Sequence, residues 1–357
     1  MDGFVFADLI IPDSVDSENA TDFLQMIEVR NAVALEQQGP DGVATPEELL
    51  PRVGATAHGE RIWRLAKADG RVVGRAQCLL PADEKASEAD MSIEVLSEYR
   101  RRGIGTTLLR WATDRIREHG QSVAQTQVYM FARDGVATIS PSNGFGAIPA
   151  DEPIAGFALH HGAVLAQVER VSVLDLPASE HLIGPLYDEA QRASRDDYSL
   201  VEWTGMSPDE WLDGMALLHT RMTTDAPAGD LTRTEDVWDA DRARRADQEW
   251  LDSGWQIFAA AAVHTQSGQL VAFTQIITGR DESEAVHQLE TLVLAEHRGH
   301  RLGTLIKIAN VRALHAALPS CPRIVTSNAE ENVPMLRVNV AMGFRAHSLG
   351  ANWTLAL

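Results

Sequence analysis

The chain has 357 residues, 45% of them hydrophobic and 23% charged, which suits a soluble globular protein of two ordinary domains. A net charge of −20, from 31 basic and 51 acidic residues, disfavours nucleic acid as a partner, since phosphate binding needs clustered cations; the acidity either draws in a cationic substrate or only keeps the chain soluble. No run reaches the ~18 apolar residues of a membrane span, Met1-Asp2-Gly3-Phe4-Val5 lacks the look of a signal peptide, and Cys78 and Cys321 fall in different halves, so no membrane, no disulfide and a cytoplasmic setting are expected.

In the first half, Ile62 to Ala66 reads as a strand, Asp69-Gly70 as a hairpin turn, and Arg71 to Leu80 as the partner strand. A polar loop from Ala82 to Glu88 leads to a strand near Met91 to Leu96 and then to a basic, glycine-containing turn from Tyr99 to Gly105. Leu108, Leu109, Trp111, Ala112 and Ile116 have helical spacing, Gly120 stops the helix, and Gln125 to Ala132 returns as a strand. The Gly/Pro/Ser-rich stretch 131–153 is expected to be a loop insertion and a candidate lid. Ala163 to Leu174 is β-rich and closes the first domain at Leu176-Pro177. Glu180 to Ser194 reads as a connecting helix and Tyr198 to Trp203 as a new first strand.

The second half repeats the pattern. Trp255 to Val263 and Leu270 to Thr278 flank a turn at Gln266-Ser267-Gly268-Gln269, and Val286 to Leu294 is the next strand. A basic turn from His297 to Gly303 precedes a helix carrying Leu305, Ile306, Ile308, Ala309, Val311 and Leu314. A strand at Arg323 to Ser327 and a helix around Val333 to Met342, ending at Gly343-Phe344, complete it. Gly105 and Gly303 stand 198 positions apart in matching contexts, which indicates a tandem duplication of one α/β domain, residues 1–176 and 177–357.

The first turn, Arg100-Arg101-Arg102-Gly103-Ile104-Gly105, lies between a strand and a helix. Glycines allow close backbone approach, N–H groups at a helix start face an anion, and arginines add charge-assisted donors. The combination suits a pyrophosphate, although a basic turn before a helix is also a common solvated feature. Neither the Walker A spacing nor the Rossmann G-x-G-x-x-G is present.

This turn resembles the coenzyme A loop of the GNAT superfamily of N-acetyltransferases, Arg/Gln-x-x-Gly-x-Gly/Ala, with Arg100, Gly103 and Gly105 filling the three positions. The second turn, Arg298-Gly299-His300-Arg301-Leu302-Gly303, resembles it less completely, with Arg301 where the family usually has Gly. The stretch Thr326 to Met335 and Met342-Gly343-Phe344 looks like the family's last strand-helix-strand unit, and Gly156 through Ala163 is a weaker version in the first half. The two-domain arrangement is similar to tandem GNAT proteins of the mycothiol-synthase type, in which one domain keeps the chemistry. The resemblance implies two α/β domains, each a mixed, mostly antiparallel sheet flanked by helices. It also implies acetyl-CoA as cofactor. The implied cofactor-binding residues are Val95, Arg100, Arg101, Arg102, Gly103, Ile104, Gly105 and Thr106 in the first half. In the second they are Leu292, Val293, Leu294, Arg298, Gly299, His300, Arg301, Leu302, Gly303, Thr304, Asn328 and Asn332.

In that family an amine attacks the thioester directly, and a base lies on the central strand, in several members 16 residues before the loop's last glycine. That position is His287 here and Ala89 in the first half, which points to the second domain as catalytic. Imidazole titrates near neutrality. Strand alternation puts Gln288 and Glu290 on the face opposite His287, and Glu290 is the second candidate base. Either residue is equally readable as structural. The family's Tyr that protonates the leaving thiolate is replaced by Asn339; a thiolate with a pKa near 8.5 departs without much help. Asp225 and Asp230, after the second domain's first helix, are candidate ligands for a small cationic amine, or solvated acids of a turn. His160-His161 and His297/His300 lack a third ligand at metal spacing, so no metal is expected. The rival readings are a non-catalytic acyl-CoA sensor, a transferase of a longer acyl group, and catalysis in the first domain.

Overall fold

The computed structural model describes residues 3–83, 85–194, 196–279, 281 and 283–357. Met1-Asp2 of the expected N-terminus and residue 84 of the expected polar loop lie outside the described residues.

The chain divides into two compact units. Unit 1 holds the residues up to Val168 together with Gly229–Thr234 and Leu349–Leu357; unit 2 holds Glu169–Ala228 and Glu235–Ser348. The expected division at Leu176-Pro177 therefore differs from the observed one. The reason is a strand that changes partner along its length. It begins in unit 1 and from Glu169 onward pairs within unit 2.

Unit 1 opens with β1 (Phe4–Asp8), α1 (Thr21–Gln38), α2 (Pro46–Leu49) and β2 (Ala55–Thr56). β3 (Gly59–Ala68), β4 (Arg71–Pro81), β5 (Glu88–Val95), α3 (Ile104–His119) and β6 (Val123–Met130) follow. The expected loop insertion contains a small ladder of β7 (Thr138–Ile139) with β8 (Ile148–Pro149), tied down by the fully buried Ile148. Then come α4 (Pro153–His160) and β9 (Val164–Asp175). β1, β3, β4 and β5 pair antiparallel in that order; β5 and β6 are parallel. Residues Val72 to Ala76 of β4 are all buried, the sign of a strand covered on both faces. α1 contributes Phe23, Met26 and Ile27 to this core and α3 contributes Ile104 and Leu108.

Unit 2 runs α5 (Glu180–Ser194), β10 (Tyr198–Thr204), α6 (Leu212–Asp225), α7 (Ala240–Asp252), β11 (Gln256–His264) and β12 (Gln269–Thr278). It continues with β13 (Val286–Val293), α8 (Leu302–Ala317), β14 (Arg323–Ala329), α9 (Val333–Met342) and β15 (Arg345–Ala356). β10 to β13 pair antiparallel in sequence, β13 with β14 is parallel, and β14 pairs antiparallel with Glu169–Asp175 of β9. Residues 349–356 of β15 complete the sheet of unit 1 by pairing antiparallel with β6. Each unit is thus the expected mixed, mostly antiparallel sheet with helices, with β5/β6 and β13/β14 as parallel pairs.

Candidate active site

The parallel pair creates a wedge in each unit. β5 and β6 are in register only over Glu88↔Val123, Ala89↔Ala124 and Asp90↔Gln125, then part. β13 and β14 are in register only over Val286↔Ile324, His287↔Val325 and Gln288↔Thr326, although both continue. A basic turn follows the first strand of each wedge, β5 or β13, and opens a helix.

The two turns share one backbone path. Positive φ angles occur at Arg101 (63°) and Gly103 (82°) in unit 1, and at the equivalent Gly299 (90°) and Arg301 (57°) in unit 2. Arg301 therefore does not abolish the glycine conformation; it adopts the left-handed region itself, an uncommon state for a residue with a Cβ. The first arginine of each turn has the same role. Arg100 Nε donates to the Val95 carbonyl at 2.9 Å and its Nη2 to Glu36; Arg298 Nε donates to the Val293 carbonyl at 3.1 Å and its Nη2 to Asp225 at 3.1 Å. These side chains thus brace the turn. Arg301 also pairs with Glu189, at 2.7 Å. Arg102 lies over the Tyr99 ring, and among the described residues neither Arg101 nor Arg102 pairs with a carboxylate.

Ile104, Leu292, Leu294 and Leu302 bury their side chains in the core, so only their main chain is left to meet a cofactor. The starts of the two helices differ. A Cβ on Gly105 would meet the Phe157 ring of α4 at 3.4 Å, and Thr106 Oγ1 lies 3.3 Å from His161 Nε2. A Cβ on Gly303 would meet only the Val293 side chain, at 3.8 Å. Asn332 caps α9, accepting from the Met335 N–H at 3.4 Å, and Asn328 Oδ1 accepts from Asn339 Nδ2 at 2.6 Å.

The central strands also differ. β4 and β5 pair without interruption from Gly74↔Val95 to Leu79↔Asp90. Across β12 and β13, however, Thr274 faces Thr291 while Ile276 faces Gln288, so Gln275 alone opposes Leu289 and Glu290. This is a β-bulge, which sets one residue outside the ladder. It corrects the expectation from strict alternation. Thr274 Oγ1 contacts both Gln288 Nε2 (2.8 Å) and Thr291 Oγ1 (2.7 Å), so Gln288 and Thr291 share a face although they are three apart. Counting back from Thr291 puts Glu290 on the His287 face, opposite Gln288. Both candidate bases are half-buried, and His287 stacks on Trp255 with ring centroids 6.1 Å apart.

Asp225 ends α6 and is engaged by Arg298, whereas Asp230 belongs to unit 1 and accepts from the Ser142 hydroxyl. The two acids thus fall in different units. Gly229–Thr234 docks on the strands of unit 1. The Asp230 N–H donates to the Ala166 carbonyl at 3.0 Å, Gln125 Nε2 donates to the Thr232 carbonyl at 2.8 Å, and the Thr234 N–H donates to Glu88 Oε1 at 2.6 Å.

Three groups escaped the sequence reading. Tyr198 gathers His264, His297 and His300, with its hydroxyl 3.0 Å from His297 Nδ1; the cross-strand pair Tyr198↔His264 is the signal that assembles them. His219 of α6 stacks on Trp238 at 4.5 Å, and burial holds its imidazole down to about 4. Lys307 is fully buried on α8. Among the described residues no group of three or more His, Cys, Asp or Glu is arranged to hold a metal, and no helix is long and apolar enough to cross a membrane. Cys78 and Cys321 are buried free thiols, Cys78 raised by burial to about 12.

Residues 26–132, which include the first wedge and turn, match the acetyltransferase (GNAT) family. No curated protein sequence matches the chain. Among solved structures, a tandem GNAT protein from the clavulanic acid biosynthesis pathway is similar over 99% of this chain and 98% of its own, with TM-score 0.73 and 24% identity. A GCN5-related N-acetyltransferase from Sphaerobacter thermophilus is similar over 100% and 96%, with TM-score 0.59 and 16% identity. Saccharomyces cerevisiae N-myristoyltransferase with bound myristoyl-CoA is similar over 100% and 79%, with TM-score 0.57 and 9% identity. The match to the acetyltransferase (GNAT) family thus lies in residues 26–132, and the whole chain has the fold of a tandem GNAT protein.

Proposed function

We propose that the chain transfers an acetyl group from acetyl-CoA to the amine of a small, cationic molecule by direct attack, and that unit 2 does the chemistry. The observation that carries this assignment is the bulge at Leu289–Glu290, beside the mouth of the β13/β14 wedge and absent from β5. A main-chain N–H turned out of the ladder there is suited to polarise the thioester carbonyl as charge develops on its oxygen. His287, with Glu290 on the same face, takes the proton from the ammonium so that the neutral amine attacks. The turn from Arg298 to Gly303 and the start of α8 hold the pyrophosphate. No metal enters this scheme. A cytoplasmic setting belongs to the same reading.

The test is release of free CoA thiol from acetyl-CoA with a panel of amines. Wild type should turn over at least one; His287→Ala and Glu290→Gln should lower kcat by roughly 10²-fold or more if they act in proton transfer. No release with any amine would sink the reading. A second reading, with unit 1 as the coenzyme-binding half, is favoured by Arg101 and Arg102, which no carboxylate neutralises among the described residues. Gly103→Val against Gly303→Val separates the two: whichever variant loses acetyl-CoA affinity in calorimetry marks the coenzyme-binding unit.

A further inference from the structure

The two units build the same strand pair with different side chains. Beside each basic turn the pair starts with the same bond: the Leu96 N–H donates to the Val73 carbonyl in unit 1, and the Leu294 N–H to the Val271 carbonyl in unit 2, both at 3.0 Å. Hydrogen-bonded pairs in an antiparallel ladder recur at every second residue. Those due next are Arg75/Glu94 and Gln77/Ser92 in unit 1, and Phe273/Leu292 and Gln275/Glu290 in unit 2. Unit 1 keeps Gln77 opposite Ser92 and runs on to Leu79↔Asp90. Unit 2 breaks at the corresponding pair: Ile276 faces Gln288, where a regular ladder would set Leu289.

Side chains hold this break. Gln288 Nε2 donates to the Gln275 carbonyl at 2.7 Å and to Thr274 Oγ1 at 2.8 Å, which uses both of its hydrogens. A carbonyl only accepts, so the bond to Gln275 also fixes which end of the amide faces β12. Thr274 Oγ1 lies 2.7 Å from Thr291 Oγ1 and 3.3 Å from the Glu290 carbonyl. The buried Thr274 thus ties together Gln288 before the bulge and Thr291 after it. By register, the unit 1 counterparts of Thr274, Gln288 and Thr291 are Ala76, Met91 and Ile93, three apolar residues on an unbroken ladder. Packing alone does not favour the polar set. Gln288 Oε1 is buried without a hydrogen-bond partner among the described residues, a cost that Met91 avoids.

Gln275 presents one carbonyl, with two acceptor positions, to the two residues opposite it. Gln288 Nε2 occupies one of those positions. The side-chain amide therefore stands in for a main-chain donor, and at most one of the Leu289 and Glu290 N–H groups is served by that carbonyl. Gln288↔Thr326 is also the last pair of β13 and β14 before they part, so the displaced N–H belongs to the residues at the mouth of the wedge.

We propose that Gln288, braced by Thr274 and Thr291, is a positioning residue whose side-chain amide keeps the bulge open and so frees a main-chain N–H of Leu289–Glu290 for the oxygen of the thioester carbonyl. The inference rests on the proposed acyl-CoA-dependent function of unit 2 and adds to it the side chains that build its donor. Unit 1, with Ala76 and Met91 in their places, does not make this donor.

The test uses the full chain. Gln288→Met and Thr274→Val remove the amide and the hydroxyl at similar volume, and Thr274→Ser keeps the hydroxyl. Calorimetry measures acetyl-CoA affinity, and the infrared difference spectrum of bound acetyl-CoA, isotope-labelled at the carbonyl carbon, reports how strongly that carbonyl is polarised. In wild type its stretch should lie below that of the free thioester. Gln288→Met and Thr274→Val should return it towards the free value with acetyl-CoA affinity little changed, whereas Thr274→Ser should keep the wild-type band. With an amine that wild type acetylates, kcat should fall by roughly 10²-fold in the first two variants, as for loss of one such donor, while KM changes little. If Gln288→Met does not fold, Thr274→Val against Thr274→Ser carries the test. A wild-type band at the free position, a substitution that leaves the band displaced, or variants that lose acetyl-CoA affinity would overturn the inference and leave the acyltransferase reading standing. Absence of acetyl-CoA binding by wild type would overturn both.

Discussion

Replacing Lys307 with Met gives a stability change whose sign and pH window follow from one side chain. The lysine is 1% exposed, and desolvation lowers its pKa from 10.5 to about 7. This is a base whose folded pKa lies below its unfolded one, so the charge destabilises the native state. The penalty is complete below pH 7, where both states are protonated. Between 7 and 10.5 the unfolded state binds more protons, so stability rises with pH. Above 10.5 both states are neutral and the penalty is gone. At ~1.4 kcal/mol per pKa unit, the full penalty is about 5 kcal/mol. Met has a similar length and no charge, and volume-conserving replacements usually cost under ~1.5 kcal/mol. Lys307→Met should therefore raise stability by roughly 3 kcal/mol or more at pH 6.5, and the difference from wild type should shrink steadily towards pH 10. Urea unfolding of both proteins across that range, followed by the fluorescence of the unit 2 tryptophans, reads it directly. A variant less stable than wild type at pH 6.5, or a difference independent of pH, would refute the reasoning.

His219 gives the acid counterpart: its pKa falls from 6.5 to about 4, chiefly through burial, so the stability of its neutral form is present above 6.5 and is lost as pH falls through about 4. His219→Phe should flatten that part of the acid-denaturation curve, and an unchanged midpoint would count against the burial argument. Gly229→Ala should release the Gly229–Thr234 segment, because the glycine sits at φ 55° and a Cβ there would lie 2.5 Å from the Ala166 carbonyl oxygen. Hydrogen exchange at the Asp230 amide, protected in wild type by that same carbonyl, should accelerate by an order of magnitude or more for a strain of ~1–3 kcal/mol. Asp225→Asn frees the Arg298 guanidinium from an exposed pair worth at most ~1 kcal/mol, so thermal stability should change little while coenzyme affinity rises several-fold in calorimetry. Weaker coenzyme binding in that variant would instead assign Asp225 a direct role at the site.

What was readable in the chain, and what was not, separates along a physical line. Strands with clear turn signals, such as Arg71–Pro81 after Asp69-Gly70, announce themselves because alternation and turn chemistry are local. The two coenzyme-type turns are legible for the same reason. α1 was missed because Leu24 and the exposed Leu35 lie off the face that buries Phe23, Met26, Ile27, Val33 and Ala34 and blur its periodicity, and no side chain caps its start. The assignment of residues 349–356 to unit 1 was out of reach, since pairing with Val123–Met130 is a long-range choice that no local pattern encodes. The bulge is subtler. Gln288-Leu289-Glu290-Thr291 looks like uninterrupted strand, and only the cross-strand partners Thr274 and Ile276 reveal the extra residue that reverses the face of Glu290. Asp225 likewise looked available for substrate until Arg298, distant in sequence, was seen to hold it.

Lys307 belongs to neither class. Nothing local marks it: a lysine in an otherwise apolar helix reads as a solvated residue. Yet the chain carries its own reference, because the repeat supplies Leu109 at the equivalent position of α3, packed with Ala89 and Ala124 of the unit 1 wedge. A duplicated fold relaxes selection on one copy and retains it on the other. A leucine in one copy and a buried lysine in the other is therefore a difference that packing alone does not explain, since the apolar choice is the more stable of the two. By that argument the costly residue marks unit 2 as the copy in which packing stability is not the sole demand, which is the same unit that the bulge in β13 singles out on independent grounds.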